Sequence, residues 1–134
     1  MKKSLSPRQI FERSITEEDV FGAIRNFLEL HRARVNRITE RIPYSRFGRK
    51  SEPGIPDLDC WFPKGCPTLK DSIWWPIALA AAIHFKIEVK KPGGNRRPRQ
   101  IEWIRAAQDD GVIAFFAESV EDVIREFKNR GINL

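Results

Sequence analysis

Apolar residues follow two different spacings along the chain, and these spacings separate predicted helices from predicted strands. Between Glu17 and Leu30 the apolar positions recur every three to four residues, at Val20, Ile24, Phe27 and Leu28. This spacing predicts a helix that buries one face. Thr16 precedes it with a hydroxyl suited to capping, and three acidic residues follow in its first turn.

Shorter segments, whose apolar residues alternate or run together, predict strands. They span residues 35–42, 55–62, 82–89 and 112–117. The last is wholly apolar, as expected of a strand buried on both faces. Residues 43–53 are expected to form a loop, and residues 64–81 an insertion that carries Trp74 and Trp75.

Two further helices are expected in the second half of the chain. Pro98 suits a first helical position, and the apolar face that follows stops at Gly111. Ser119 is placed to cap the last helix, which Gly131 ends. Residues 1–13 are expected to be a loose arm. The predicted order is α-β-β-β-α-β-α in one domain spanning residues 1–134, an α/β fold of α+β type with helices on a mixed sheet.

Charge adds a prediction about the partner. The formal net charge is +6, and arginines dominate two basic stretches, at residues 32–50 and 90–99. Guanidinium groups match phosphate oxygens, so a polyanionic partner is favoured. No apolar run is long enough to span a membrane and no leader is evident, so a cytoplasmic location is expected. Cys60 and Cys66 are too few for a typical zinc site.

Three charged residues form the candidate chemistry: Asp57, Glu88 and Lys90. Residues two apart on a strand share a face, so Glu88 and Lys90 point the same way. If the strands carrying Asp57 and Glu88 pair as a hairpin, both carboxylates can converge on one hard cation such as Mg²⁺. Lys90 would then help to deprotonate an attacking water and offset charge on a phosphorane. The alternative is a hairpin with an ordinary surface ion pair.

The spacing of several motifs resembles the VRR-Nuc family, a branch of the PD-(D/E)XK nucleases with a restriction-endonuclease-like core. The matching segments are Gly54-Ile55-Pro56-Asp57-Leu58, Glu88-Val89-Lys90-Lys91-Pro92-Gly93-Gly94, Arg99-Gln100 with Trp103, Gly111, and Ser119-Val120-Glu121-Asp122-Val123. The match covers nearly the whole chain. One departure is the long insertion, whose tryptophans either complete the core or form a dimer contact or a wedge against bases.

The resemblance implies roles for individual residues. Asp57 and Glu88 would bind Mg²⁺ or Mn²⁺ together with the Val89 carbonyl, and Lys90 would be the catalytic lysine. Gln100 would support the metal site or a phosphate. The family also places a glutamate on the first helix; Glu17 is the first choice, Glu18 the second, and helix-dipole compensation is the simpler role for either.

The implied function is a metal-dependent DNA endonuclease, structure-specific in the manner of a Holliday-junction resolvase, acting on branched DNA as a homodimer. The basic residues expected to bind DNA are Arg46, Arg49, Lys50, Lys91, Arg96, Arg97 and Arg99. Two alternatives stay open: a restriction-type enzyme that cuts duplex DNA, and a non-catalytic DNA-binding module on a nuclease-like scaffold.

Overall fold

A four-stranded mixed sheet with helices on both faces is the framework of the protein. The computed structural model describes residues 4–38 and 56–134. Within these ranges the elements are α1 (Pro7–Ser14), α2 (Glu17–Leu30), β1 (Arg34–Arg37), β2 (Leu58–Phe62), a 3₁₀ turn (Pro67–Leu69), α3 (Trp75–Ala78), β3 (Ile83–Val89), α4 (Pro98–Asp109), β4 (Ile113–Ala117) and α5 (Val120–Lys128). The predicted loop at 43–53 lies outside the described residues.

The strands follow one another across the sheet in the order β1-β2-β3-β4. β1 pairs with β2 and β2 with β3 in antiparallel fashion, whereas β3 and β4 are parallel. α4 makes the crossover that a parallel pair requires. The prediction of a mixed sheet with helices on it is confirmed.

The two faces of the sheet are packed unequally. On one face α2 and α5 cover the main core, where the Phe127 ring meets those of Phe62, Phe85 and Phe115 at centroid distances of 4.9–5.7 Å. On the other face α4 covers a smaller cluster around Ile104, Ala107 and Ala114. Strand alternation explains the division, since Phe115 and Ala114 point to opposite faces.

Part of the segment expected to be a loose arm, residues 1–13, is helical, because α1 begins at Pro7. Its start is fixed by local hydrogen bonds: the Gln9 N–H donates to Ser6 Oγ, and the Ser6 N–H donates to Gln9 Oε1. Proline at the first helical position fits the same start. None of the helix's residues is buried. The sequence signals for α1 are its capping residues Ser6 and Gln9 and the proline at its first position, and these were overlooked.

The insertion between β2 and β3 folds back onto the main core. It contains the 3₁₀ turn and α3, and both Trp74 and Trp75 pack against the core cluster. Trp74 Nε1 donates a hydrogen bond to the Arg130 carbonyl at 2.7 Å. These contacts are those of tryptophans that complete a core.

Two smaller expectations concern the membrane and the cysteines. Among residues 4–38 and 56–134, every helix falls short of the length and apolar character needed to cross a bilayer. Cys60 and Cys66 are both buried and are not joined in a disulfide.

Candidate active site

The pairing of β2 with β3 places Asp57 beside Glu88. Leu58 is paired with Ile87, so one further step along this register sets Asp57 opposite Glu88. The Asp57 N–H donates to Glu88 Oε2 at 3.1 Å, and the Val89 N–H donates to Asp57 Oδ2 at 3.1 Å. Each carboxylate therefore accepts a hydrogen bond from a backbone N–H of the opposite strand, and this holds it in place.

Gln100 and Lys90 hold the second oxygen of Glu88. Gln100 Nε2 donates to Glu88 Oε1 at 2.7 Å, and Lys90 Nζ lies 3.5 Å from the same oxygen. Gln100 stands in the first turn of α4, where its Oε1 accepts from the Arg97 N–H at 3.1 Å. That bond requires the amide nitrogen of Gln100 to face the carboxylate. The start of α4 thus positions a donor on Glu88.

This cluster is where the described part of the chain buries its polar side chains. Only three polar or charged residues there are buried, namely Glu88 (2% exposed), Lys90 (8%) and Gln100 (8%), and all three belong to the cluster. Burying charged groups is costly unless they are paired and hydrogen-bonded. The regular alternation of exposed and buried residues along β3 also stops where Glu88 begins.

Burial and nearby negative charges make both carboxyls hard to ionise. Burial raises the pKa of Glu88 to about 8, and the charge of Asp57 contributes to the rise. Burial also raises the pKa of Asp57, while its bond from the Val89 N–H opposes the rise and the charge of Glu17 supports it. Two carboxylates that share a site repel each other in this way until a cation joins them.

The first turn of α2 adds acids to the edge of the cluster. Glu17 lies near enough to Asp57 for its charge to raise the pKa of Asp57. Glu18 instead forms a bidentate pair with Arg37, in which Arg37 Nη1 lies 3.0 Å from Glu18 Oε2. The Arg37 guanidinium also lies 4.1 Å from the centroid of the Phe21 ring. Of the two candidate acids, Glu17 is the one not tied to Arg37.

The predicted DNA-binding residues divide into two sets. Lys91, Arg96, Arg97 and Arg99 are exposed around the connection from β3 into α4. Arg96 is held 4.5 Å from the centroid of Phe116, which pairs with Glu88 across β3 and β4. Arg46, Arg49 and Lys50 lie outside the described residues.

Glycine shapes the connection that carries these cations. Gly93 has a φ of 72°, and the Gly94 N–H donates to the Lys91 carbonyl at 2.8 Å. A Cβ on Gly94 would lie 2.9 Å from that carbonyl oxygen. The tight turn therefore needs glycines at both positions, and it begins directly after Lys90.

The donor set is suited to a hard divalent cation. Carboxylate oxygens are the ligands that Mg²⁺ and Mn²⁺ prefer, and Mg²⁺ typically takes one or two of them together with water. The described residues contain no group of three or more His, Cys, Asp or Glu side chains that could hold a metal. Asp57 and Glu88 would supply the two carboxylates, and a bound cation would offset their repulsion.

Sequence reasoning missed the neighbours of the cluster on the same sheet. Asp59 pairs with Lys86 on the adjacent strand, with Lys86 Nζ 3.0 Å from Asp59 Oδ1. Two residues further along the register, Trp61 stands opposite His84. The signal was present in the two-residue alternation of both strands, but it becomes readable only once the register is known.

In comparisons with protein-family models, curated proteins and solved structures, nothing matches the chain. What the cluster does must therefore be argued from its own geometry.

Proposed function

We propose that the chain is a metal-dependent DNA endonuclease with a PD-(D/E)XK core, related to the VRR-Nuc family. The proposal rests on burial, because Glu88, Lys90 and Gln100 are the polar side chains that the described residues bury. A fold gains little from burying a repelling pair of carboxylates with a lysine. Binding of a cation and a phosphodiester would explain why these groups are buried together.

Asp57 and Glu88 would hold the ion, which when bound would polarise a phosphodiester and lower the pKa of a water molecule. Lys90 lies on the same side as Glu88 and is positioned to offset negative charge that develops on the phosphate. Gln100 orients Glu88 through the bond to Oε1. Glu17 would act from the edge, beyond Asp57.

Pro56 supports the Val89 carbonyl as a third ligand. Continued by two positions beyond Leu58 and Ile87, the register sets Pro56 opposite Val89. In an antiparallel ladder every second facing pair exchanges N–H to C=O bonds, and Pro56 with Val89 falls in the same alternation as Leu58 with Ile87. Proline has no N–H, so it cannot donate one to the Val89 carbonyl. That oxygen would be left for a cation at the end of the strand.

The basic residues around the site support a nucleic acid as substrate, and the family resemblance favours DNA. Lys91, Arg96, Arg97 and Arg99 surround the path from β3 into α4 and would engage phosphates. Branched DNA and a two-fold homodimer come from the family resemblance. Both stay predictions, and sedimentation of the purified protein would test the dimer.

Cleavage assays on variants of the two adjacent pairs would test the function. Purified protein is incubated with junction, flap, splayed-arm and linear duplex DNA, with and without Mg²⁺ or Mn²⁺. We expect cleavage that needs the metal, and losses of about 10²–10⁴-fold in Asp57→Asn, Glu88→Gln and Lys90→Ala. Asp59→Asn is the matched control, two residues away on β2, and should cut normally.

The outcomes separate the alternatives. Full activity in either carboxylate variant would refute the site. Cutting of linear duplex at one short sequence would identify a restriction-type enzyme. Tight DNA binding without cleavage under any metal condition would favour the non-catalytic module.

A further inference from the structure

The sheet face that carries the carboxylates extends beyond them. Side chains two apart on a strand share a face, so Trp61 and His84 lie on the same face as Asp57 and Glu88. The four residue steps from Glu88 back to His84 span about 13 Å at roughly 3.3 Å per step. The Asp59–Lys86 pair stands between the two sites.

Trp61 and His84 form an aromatic pair outside the packed cores. Their ring centroids are 5.8 Å apart and the rings are inclined by 35°. His84 is exposed, and neither ring belongs to the main core or to the cluster under α4. A tryptophan that contributes to neither core is available for contact with a partner.

Basic and polar residues of β1 flank this aromatic pair. Arg34 stands directly opposite Trp61 in the β1–β2 register, and Asn36 follows two residues on. With Arg32, these residues and Trp61 are among those that line a cavity of about 630 Å³ at the edge of the sheet. Arg32 and Arg34 are exposed. We call Arg32, Arg34, Asn36, Trp61 and His84 the aromatic face.

Arg32 occupies a position where the backbone favours glycine. Its φ is 66°, and it follows the end of α2, where the Ala33 N–H donates to the Leu28 carbonyl at 3.0 Å. This left-handed position after a helix is usually glycine, because other residues are strained there. An arginine in that place, on the wall of a cavity, suggests a role other than stability.

We propose that the aromatic face binds unpaired nucleotides of a nucleic acid strand. Bases stack on Trp61 and His84, while Arg32 and Arg34 contact the flanking phosphates. The strand then continues past Lys86 to the carboxylates. This extends the proposed nuclease function, since it assigns a single-stranded segment of the substrate to the approach to that site.

Two oligonucleotides distinguish stacking from phosphate binding. One is a single strand of roughly 12 nucleotides with ordinary bases; the other has the same length and phosphates but abasic sugars. Affinity is measured by fluorescence anisotropy in EDTA, so that no cleavage occurs. We expect Trp61→Ala to weaken binding of the first strand by roughly 5- to 150-fold and to leave the abasic strand unaffected.

Further variants keep the test informative if Trp61→Ala does not fold. His84→Ala changes an exposed residue and should weaken binding of the base-containing strand in the same sense. Trp61→Phe should retain most of the affinity. Arg34→Ala should weaken binding of both oligonucleotides alike. Arg125→Ala on α5, behind the main core, should change the binding of neither. Arg32→Gly should raise the melting temperature of the protein and weaken its binding of both oligonucleotides.

Two results would overturn the proposal. One is equal affinity of the wild-type protein for the two oligonucleotides. The other is a sedimentation profile in which Trp61→Ala dissociates a dimer, which would make the face a contact between copies of this chain. The binding assay is done without metal, so its result does not depend on whether the wild-type protein cleaves DNA. Equally, loss of stacking leaves the carboxylate site standing.

Discussion

Two pairs of ionisable side chains are formed across β2 and β3, and they have opposite effects on the stability of the fold. Asp59 and Lys86 are half-exposed, carry opposite charges and meet at 3.0 Å. Two residues along the register, Asp57 and Glu88 are both acids, and Glu88 is buried. Opposite charges placed across a pair of strands stabilise a sheet, whereas like charges destabilise it.

The difference lies in what each pair needs from outside the chain. The Asp59–Lys86 pair is neutral and complete within the sheet. Within the described residues, Lys90 balances the Asp57–Glu88 pair with its Nζ 3.5 Å from Glu88, and the charge of Arg37 acts on Asp57 from β1. The hairpin therefore combines an ion pair that serves the fold with a carboxylate pair that a divalent cation would complete.

The largest effect on stability is expected from removing the charge of Glu88. The folded protein raises the pKa of Glu88 from an ordinary value of 4.5 to about 8. A raised pKa means that the folded state binds the proton more tightly, so its contribution is full below about 4.5 and is lost as pH rises through 8. In metal-free buffer, the free energy of unfolding should fall by a few kcal/mol across this window.

Urea denaturation in EDTA at about pH 5, 7 and 9 would measure this decline. Glu88→Gln should flatten it and should be more stable than the wild type at the highest pH. Asp59→Asn serves as the control and should keep the wild-type slope. An unchanged slope in Glu88→Gln would contradict the burial and repulsion inferred for the pair.

A smaller effect is expected from adding the cation. An ion present at ten times its dissociation constant stabilises the state that binds it by about 1.4 kcal/mol. The melting temperature of the wild type should therefore rise by about 3–8 °C in Mg²⁺ or Mn²⁺. Asp57→Asn should show little or no shift, and Lys86→Ala should show the full one. Equal shifts in all three proteins would place the cation elsewhere.

The smallest effect is expected from the Asp59–Lys86 pair. Their side chains are 37% and 27% exposed, so water screens the interaction. A double-mutant cycle with Asp59→Asn and Lys86→Ala should give a coupling energy below about 1 kcal/mol that declines with added salt. A coupling of several kcal/mol would remove the contrast between the two pairs.

Where burial decided the structure, the sequence predicted it well. α2 was expected from Glu17 to Leu30 and has those bounds, because its apolar face and its Thr16 cap agree. The mixed sheet followed from the same kind of pattern. The pairing of Asp57 with Glu88 was expected only on condition that their strands formed a hairpin, and the register of β2 with β3 supplies that condition.

Other parts depend on relations that a linear pattern does not contain. Trp61 and His84 are 23 positions apart in the chain and meet only through the β2–β3 register. Glu17 and Glu18 are neighbours in sequence, and their different surroundings, Asp57 for one and Arg37 for the other, come from distant parts of the chain.

Gln100 sets a limit on how the sequence can diverge. Its carbonyl oxygen caps the start of α4 while its amide donates to Glu88. Glutamate would keep the capping acceptor but place another negative charge against Glu88, and asparagine has the same groups on a shorter stem. Leucine would keep the bulk and lose both bonds. In a library covering all substitutions at position 100, few variants should survive selection for both folding and cleavage, and relatives of this chain should tolerate little change there.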